Sequence, residues 1–452
     1  MTRKSYGCAC CGGDLGEMLR SNTAVHALAS GDPATALPSV SGIVTRREVL
    51  KGGLATLGAL GLASCGVDSP GEPAKLFTGG TILTVDADFT QAEAIAIRGN
   101  KIIAVGTDAD VRAAAGANAE IVDLAGKTML PGFIDAHSHV VAGSIVDAVM
   151  EYVGMAKFGT VDAVLDHIAA RASQAPAGEW LVFRNFDPAV QDGFDALTFK
   201  ELDPISTEHP IFVLNASGHL AYANSKAFEV AGVPPDVENP PGAEFVRDAD
   251  GKLTGIMKNN VAYSKVSGAY PALASVNPVE ALVGLLSKWG RHGLTTVSEL
   301  SLGGLSMSPA DTEVMLGAAA SGRLPARIRA YAFYTLGEAA WDTAGVGPGT
   351  GNALARVAGY KLVADGSNQG YTGLQREPYL NSDNRGLAYM SAEDLRKVAL
   401  DRAEKGWHLA IHGNGDAAID NVLDACQALR DAGIDMSKVR ARIEHCSILH
   451  DE

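Results

Sequence analysis

The sequence predicts an α/β protein in two parts, a small β-rich module followed by a larger region where short apolar strands alternate with amphipathic helices. Between Lys75 and Leu124, strand-like runs are separated by glycine turns. After Pro131-Gly132 the rhythm becomes strand, helix, strand, as in a parallel sheet. Composition agrees with a large core: 452 residues, 47% hydrophobic and 20% charged, exclude a disordered, collagenous or polytopic membrane protein. The 37 Lys and Arg against 52 Asp and Glu leave a net charge of −15, which argues against nucleic acid as a partner.

The first 65 residues stand apart. Thr45-Arg46-Arg47-Glu48-Val49-Leu50-Lys51 precedes an apolar run from Leu54 to Ala63, too short to span a bilayer but suited to the hydrophobic region of a signal peptide. The run ends at Leu62-Ala63-Ser64-Cys65 and resembles a twin-arginine export signal followed by a lipobox. That resemblance implies an exported, periplasmic or extracytoplasmic protein, lipid-anchored at Cys65; the alternative is a short buried helix after a disordered tail. Beyond residue 65, 31 basic residues face 48 acidic ones, a net −17, so any membrane attachment would come from the lipid rather than from charge. Cys8-Ala9-Cys10-Cys11 lacks a second ligand pair at zinc-finger spacing. Cys426 and Cys446 are either a single bridge or two buried free thiols.

The module is expected over residues 66–131, with strands at 75–77, 81–85, 94–97, 101–105 and 120–124, separated by the Gly79-Gly80, Gly99-Asn100 and Gly126 turns. In residues 132–452 the strand candidates are 133–137, 295–300, 327–334, 361–367, 408–413 and 441–446. Helices are expected over 279–289 and 311–320 from apolar spacing, over 392–404 behind the Ser391 cap, and over 416–431 before Gly433. A long insertion, about 141–290, carries its own strands at 180–186 and 211–215.

Chemistry concentrates at the strand ends. In Asp135-Ala136-His137-Ser138-His139 the two histidines sit two apart on an extended segment, so both rings can grip one metal ion. With Pro131-Gly132-Phe133-Ile134 in front, the run resembles the barrel entry of the amidohydrolase superfamily. Gly359-Tyr360-Lys361-Leu362-Val363-Ala364-Asp365-Gly366-Ser367 resembles the segment that carries a carboxylated lysine there. His412 in Ala410-Ile411-His412-Gly413 and His445 in Arg442-Ile443-Glu444-His445 each end a strand. The resemblance covers residues 75–452 and is nearest to the amidohydrolase-3 branch, which includes N-substituted formamide deformylases. Ser217-Gly218-His219-Leu220 and Asp250-Gly251-Lys252-Leu253-Thr254-Gly255 support it. Asn259 stands after Lys258 where the branch often has glutamate.

The resemblance implies a (β/α)8 TIM-like barrel with a small N-terminal β-sandwich module. It implies divalent metal, one or two zinc ions, held by His137, His139, His412 and His445 with carboxylated Lys361 as the bridge. Asp135 would orient the first pair and His219 would line the pocket. The implied reaction is hydrolysis of a non-peptide carbon–nitrogen bond (amide, formamide or cyclic imide) in a small-molecule substrate by metal-activated hydroxide. Ester or phosphoester hydrolysis on the same metals, and a catalytically inactive ligand-binding lipoprotein, are the competing readings. The family's further aspartate ligand and general base ends an eighth strand, whereas about six barrel strands can be counted here, so the chain is expected to be a C-terminally truncated, incomplete barrel with open edges.

Overall fold

The computed structural model describes residues 72–450, apart from 194, 195, 217, 219, 241, 242, 259, 367 and 369–371. The leader with Cys65, together with His219 and Asn259, lies outside the described residues. Contacts divide the described chain into two compact units, residues 72–133 and 134–450.

The first unit holds two small sheets. Lys75–Thr78 lies between Ala94–Arg98, antiparallel, and Glu120–Asp123, parallel, with Lys101–Gly106 beyond Ala94–Arg98. Gln91–Ala92, Thr81–Leu83 and Thr128–Met129 make the second sheet. Gly80 is needed where the chain turns between the sheets, because a Cβ there would lie 2.2 Å from the Lys127 carbonyl oxygen. Helix Asp108–Ala115 was not foreseen; Thr107 caps it, and it packs Val111 and Ala115 against Leu76, Ala94 and Ala96. Its sequence signal is the Thr107 cap with Asp108 and Asp110 in the first turn.

In the second unit six strands form one sheet in the order Arg442–His445, His408–Gly413, Ala355–Val363, Arg327–Phe333, Leu294–Leu302, Phe133–Ser138. The registers from Leu294–Leu302 to Arg442–His445 are all parallel. The outermost strands meet through side chains, so the sheet curls into a nearly closed barrel: Arg442 Nη2 donates to the Ala136 carbonyl (2.9 Å) and Glu444 bonds His137 (2.5 Å). The edges expected to stand open are thus bridged by these contacts. The fourth barrel strand begins at Ala355, six residues before the expected start, and turns away after Val363. Gly359 allows this strand to pack closely, since a Cβ there would meet the Tyr331 ring at 2.3 Å and the His408 carbonyl at 2.6 Å.

The four expected helices form, as Pro278–Gly290, Asp311–Ala320, Ala392–Glu404 and Asp416–Asp431. The insertion carries a six-stranded sheet of its own rather than two strands, in the order Glu244–Arg247, Leu253–Lys258, Leu220–Ala223, Ile211–Asn215, Leu181–Phe186, Glu151–Tyr152. Val161, Val164 and Ile168 of helix Val161–Gln174 pack on Leu181, Phe183, Ile211 and Val213 of that sheet. Cys426 and Cys446 are free thiols. No helix among the described residues is long and apolar enough to cross a membrane.

Asp311 ties the loop before its own helix. Its carboxylate accepts from Leu305 N (2.7 Å) and from Ser306 N and Oγ, yet burial outweighs these bonds and pushes its pKa up to about 6 from 3.8. The folded state therefore holds this proton more tightly than the unfolded chain. Stability from Asp311 is fully present below about pH 4 and is lost as pH rises through about 6. Asp311→Asn should remove a component of roughly 3 kcal/mol from the change in unfolding free energy between about pH 4 and about pH 7, read by urea denaturation. An unchanged slope would contradict this.

Candidate metal centre

Strand alternation puts Lys361 inside the barrel and Tyr360 outside, where Tyr360 stacks edge-on with Trp407 at 5.5 Å. Lys361 is fully buried, and cross-strand pairing sets it opposite Phe333 and Ala410, with Val363 beside His412 and Gly413 beside His445. His137 is the penultimate residue of the first barrel strand, and His139 is the N-cap of helix Val140–Val149. The four imidazoles follow one another around the barrel mouth. Ring centroids are 5.3 Å apart for His139 and His137, 4.7 Å for His137 and His445, and 4.4 Å for His445 and His412. The positive charge of Lys361 acts on His137, His139, His445 and Glu444 alike, so it lies among them. His445 and Cys446 adopt left-handed backbone, φ 69° and 52°, which turns the chain sharply at this strand end.

Each ring of the His-X-His pair has one nitrogen held by oxygen. His137 Nδ1 lies 2.5 Å from Glu444 Oε2, and Arg442 Nε pairs with the other carboxylate oxygen at 2.6 Å. His139 Nδ1 lies 2.9 Å from Ser301 Oγ. Nε2 of His137 and Nε2 of His139 are buried and have no hydrogen-bond partner among the described residues. His412 is held from the other side, its Nε2 2.7 Å from the Gly366 carbonyl. Asp365 steadies that corner by accepting from Leu374, Asn414 and Gly415 backbone N–H groups.

Burial disfavours protonation of His137, His139 and His445. It lowers the pKa of His137 against the opposing pull of Glu444, and drives His139 well below the usual range with help from His137, Lys361, His445 and His412. His445 falls to about 3 through burial and then through His412, Lys361 and His137. Burial alone would raise Glu444, but the His137 hydrogen bond and the Lys361 and Arg442 charges hold it low. Neutral imidazoles with Nδ1 engaged present a bare Nε2 lone pair, the form a metal takes.

A family model described as the amidohydrolase family matches residues 120–452. The chain belongs to the amidohydrolase family. It is 30% identical over 366 residues to an N-substituted formamide deformylase of Arthrobacter pascens, covering 77% of this chain and 65% of that protein. It is 28% identical over 389 residues to the protein LONG AFTER FAR-RED 3 of Arabidopsis thaliana, covering 83% and 64%. The chain thus spans a little under two thirds of the length of these relatives. The structure of an uncharacterized metal-dependent hydrolase from Pyrococcus horikoshii shares the fold, with TM-score 0.60 at 24% identity, over 84% of this chain and 71% of that one.

Amidohydrolases are generally metal-dependent, and the donors here fit a divalent cation. Two buried imidazole nitrogens without hydrogen-bond partners are costly unless something fills them, and a divalent metal would do so. Among the described residues no three His, Cys, Asp or Glu side chains close around a single point. Asp135 accepts from the His137 backbone N–H (3.0 Å), so it contacts the main chain rather than the ring. The ring partners, Glu444, Ser301 and Glu299 behind it, were not singled out from the sequence. For Glu444 a signal existed, its place directly before His445 in Arg442-Ile443-Glu444-His445.

Glu444→Ala leaves His137 Nδ1 and the Arg442 guanidinium without their shared carboxylate. It should cost about 3 kcal/mol in urea denaturation of the metal-free protein, whereas a surface substitution costs within about 0.5 kcal/mol.

Proposed function

We propose that this amidohydrolase hydrolyses a non-peptide carbon–nitrogen bond of a small molecule, an amide, formamide or cyclic imide, with zinc held by His137 and His139 and a second site at His412 and His445. The observation that carries the reading is the pair of buried, partnerless Nε2 atoms whose Nδ1 counterparts are each held by oxygen. A divalent cation there would supply Lewis-acid polarisation of the scissile carbonyl and acidify water. The chain's own residues do the rest. Glu444 keeps the His137 proton on Nδ1.

Lys361 completes the donor set as a carbamate. The ammonium would first lose a proton; its neutral Nζ would then add to the carbon of CO2, forming an N–C bond as a second proton leaves the nitrogen, so that a buried cation becomes an anionic ligand. His219, in the Ser217-Gly218-His219 run, is proposed to contact substrate. The formamide deformylase activity named for the Arthrobacter pascens relative supports formamides as the first substrates to test. Export by the twin-arginine route, with Cys65 as a lipid anchor, is proposed on the Arg46-Arg47 pair and the Leu62–Cys65 run alone.

Protein purified with zinc and bicarbonate should hold about one to two equivalents of metal. His137→Ala/His139→Ala should lose the metal of the first site. Metal-supported turnover of formamides, abolished by a chelator and exceeding that of matched esters, is the expected activity. Absence of bound metal would overturn the proposal.

A further inference from the structure

Glu299, on the second barrel strand, is fully buried, and no Lys or Arg pairs with it among the described residues. A buried carboxylate is costly unless hydrogen bonds compensate it. Here the bonds converge on one neighbour. Oε2 accepts from Val141 N (2.7 Å), in the first turn of the helix that His139 caps. Oε1 accepts from Ser301 N (2.7 Å) and Ser301 Oγ (3.1 Å), and Ser301 Oγ is the partner of His139 Nδ1 at 2.9 Å. Glu299 therefore holds His139 from two sides, through the backbone that follows it and through its ring.

The bonds also have a direction. Burial pushes the Glu299 pKa up to about 7, but both of its oxygens accept from backbone N–H groups that can only donate, Val141 N on Oε2 and Ser301 N on Oε1. In its ionised form the carboxylate only accepts, so Ser301 Oγ–H donates to Glu299, and the Ser301 oxygen is left to accept from the ring. That places the His139 proton on Nδ1 and leaves Nε2 bare. The carboxylate also satisfies an otherwise orphaned N–H at the start of the helix, where the His139 cap makes no side-chain bond of its own. An amide or hydroxyl in place of Glu299 could cap the helix equally well, but neither would dictate which way the serine proton points.

We infer that Glu299 is a positioning residue that, acting through Ser301, locks His139 in the Nδ1–H form and so presents its Nε2 to a divalent cation. This rests on His139 being a metal ligand, and the test separates the two ideas. Zinc affinity of the full chain is measured by competition with a chromophoric chelator, beside circular dichroism and Tm, for wild type, Ser301→Ala, Ser301→Thr and Glu299→Gln. Ser301→Ala should weaken zinc by about 10- to 100-fold with secondary structure retained, and Ser301→Thr, which keeps the hydroxyl, should restore affinity. Glu299→Gln should weaken it comparably, because its amide can donate to Ser301 and reverse the chain. Should Glu299→Gln fail to fold, Ser301→Ala alone decides. Wild-type zinc affinity in Ser301→Ala, whatever its Tm, overturns the positioning role and leaves the metal centre standing. Absence of zinc from wild type overturns the metal centre itself.

Discussion

An imidazole offers a lone pair from one nitrogen only when the proton is kept on the other, and this condition shapes the mouth of the barrel. His137 and His139 both meet it with an oxygen at Nδ1, and the oxygens come from strands far away in sequence. Glu444 is 307 residues from His137 and Ser301 is 162 from His139. The barrel is what makes such pairings possible, because parallel strands bring their C-terminal ends to one rim regardless of the chain between them. The same contacts bridge the first and sixth strands, so the chemistry of the rim and the curvature of the sheet depend on one another.

Charge explains how the rim tolerates buried Lys361 and Glu444 beside its partly buried rings. Lys361 sits among neutral rings and beside Glu444, whose carboxylate stays ionised because His137, Lys361 and Arg442 surround it. Burial suppresses protonation of His137, His139 and His445, and each ring that stays neutral spares its neighbours a further buried charge.

Much of the fold was legible from local signals. Helices Asp311–Ala320, Ala392–Glu404 and Asp416–Asp431 have the expected bounds, helped in the second by the Ser391 cap and in the third by the break at Gly433. Leucines and valines at helical spacing predicted Pro278–Gly290 within a residue at each end. The insertion was only partly legible: Leu181–Phe186 and Ile211–Asn215 are dense apolar runs, whereas Glu151–Tyr152 and Glu244–Arg247 are short and Leu253–Lys258 mixes polar residues and a glycine among its apolar ones, and these become strands only by pairing. At the site, residues that could be proposed as ligands stood out by type and spacing. Their partners were less legible: Glu444 stands directly before His445, but Glu299 and Ser301 look in sequence like ordinary strand residues, and only tertiary contact sets them beside the His139 ring.

The central claim is that bare Nε2 atoms of His137 and His139 converge on one cation. Crystals of the full chain grown with zinc, with diffraction recorded on both sides of the zinc absorption edge, test it most directly. The account predicts an anomalous peak about 2.0–2.1 Å from Nε2 of both rings, with Glu444 and Ser301 still at Nδ1. A peak on the Nδ1 side, a peak remote from the four histidines, or none at all would contradict it.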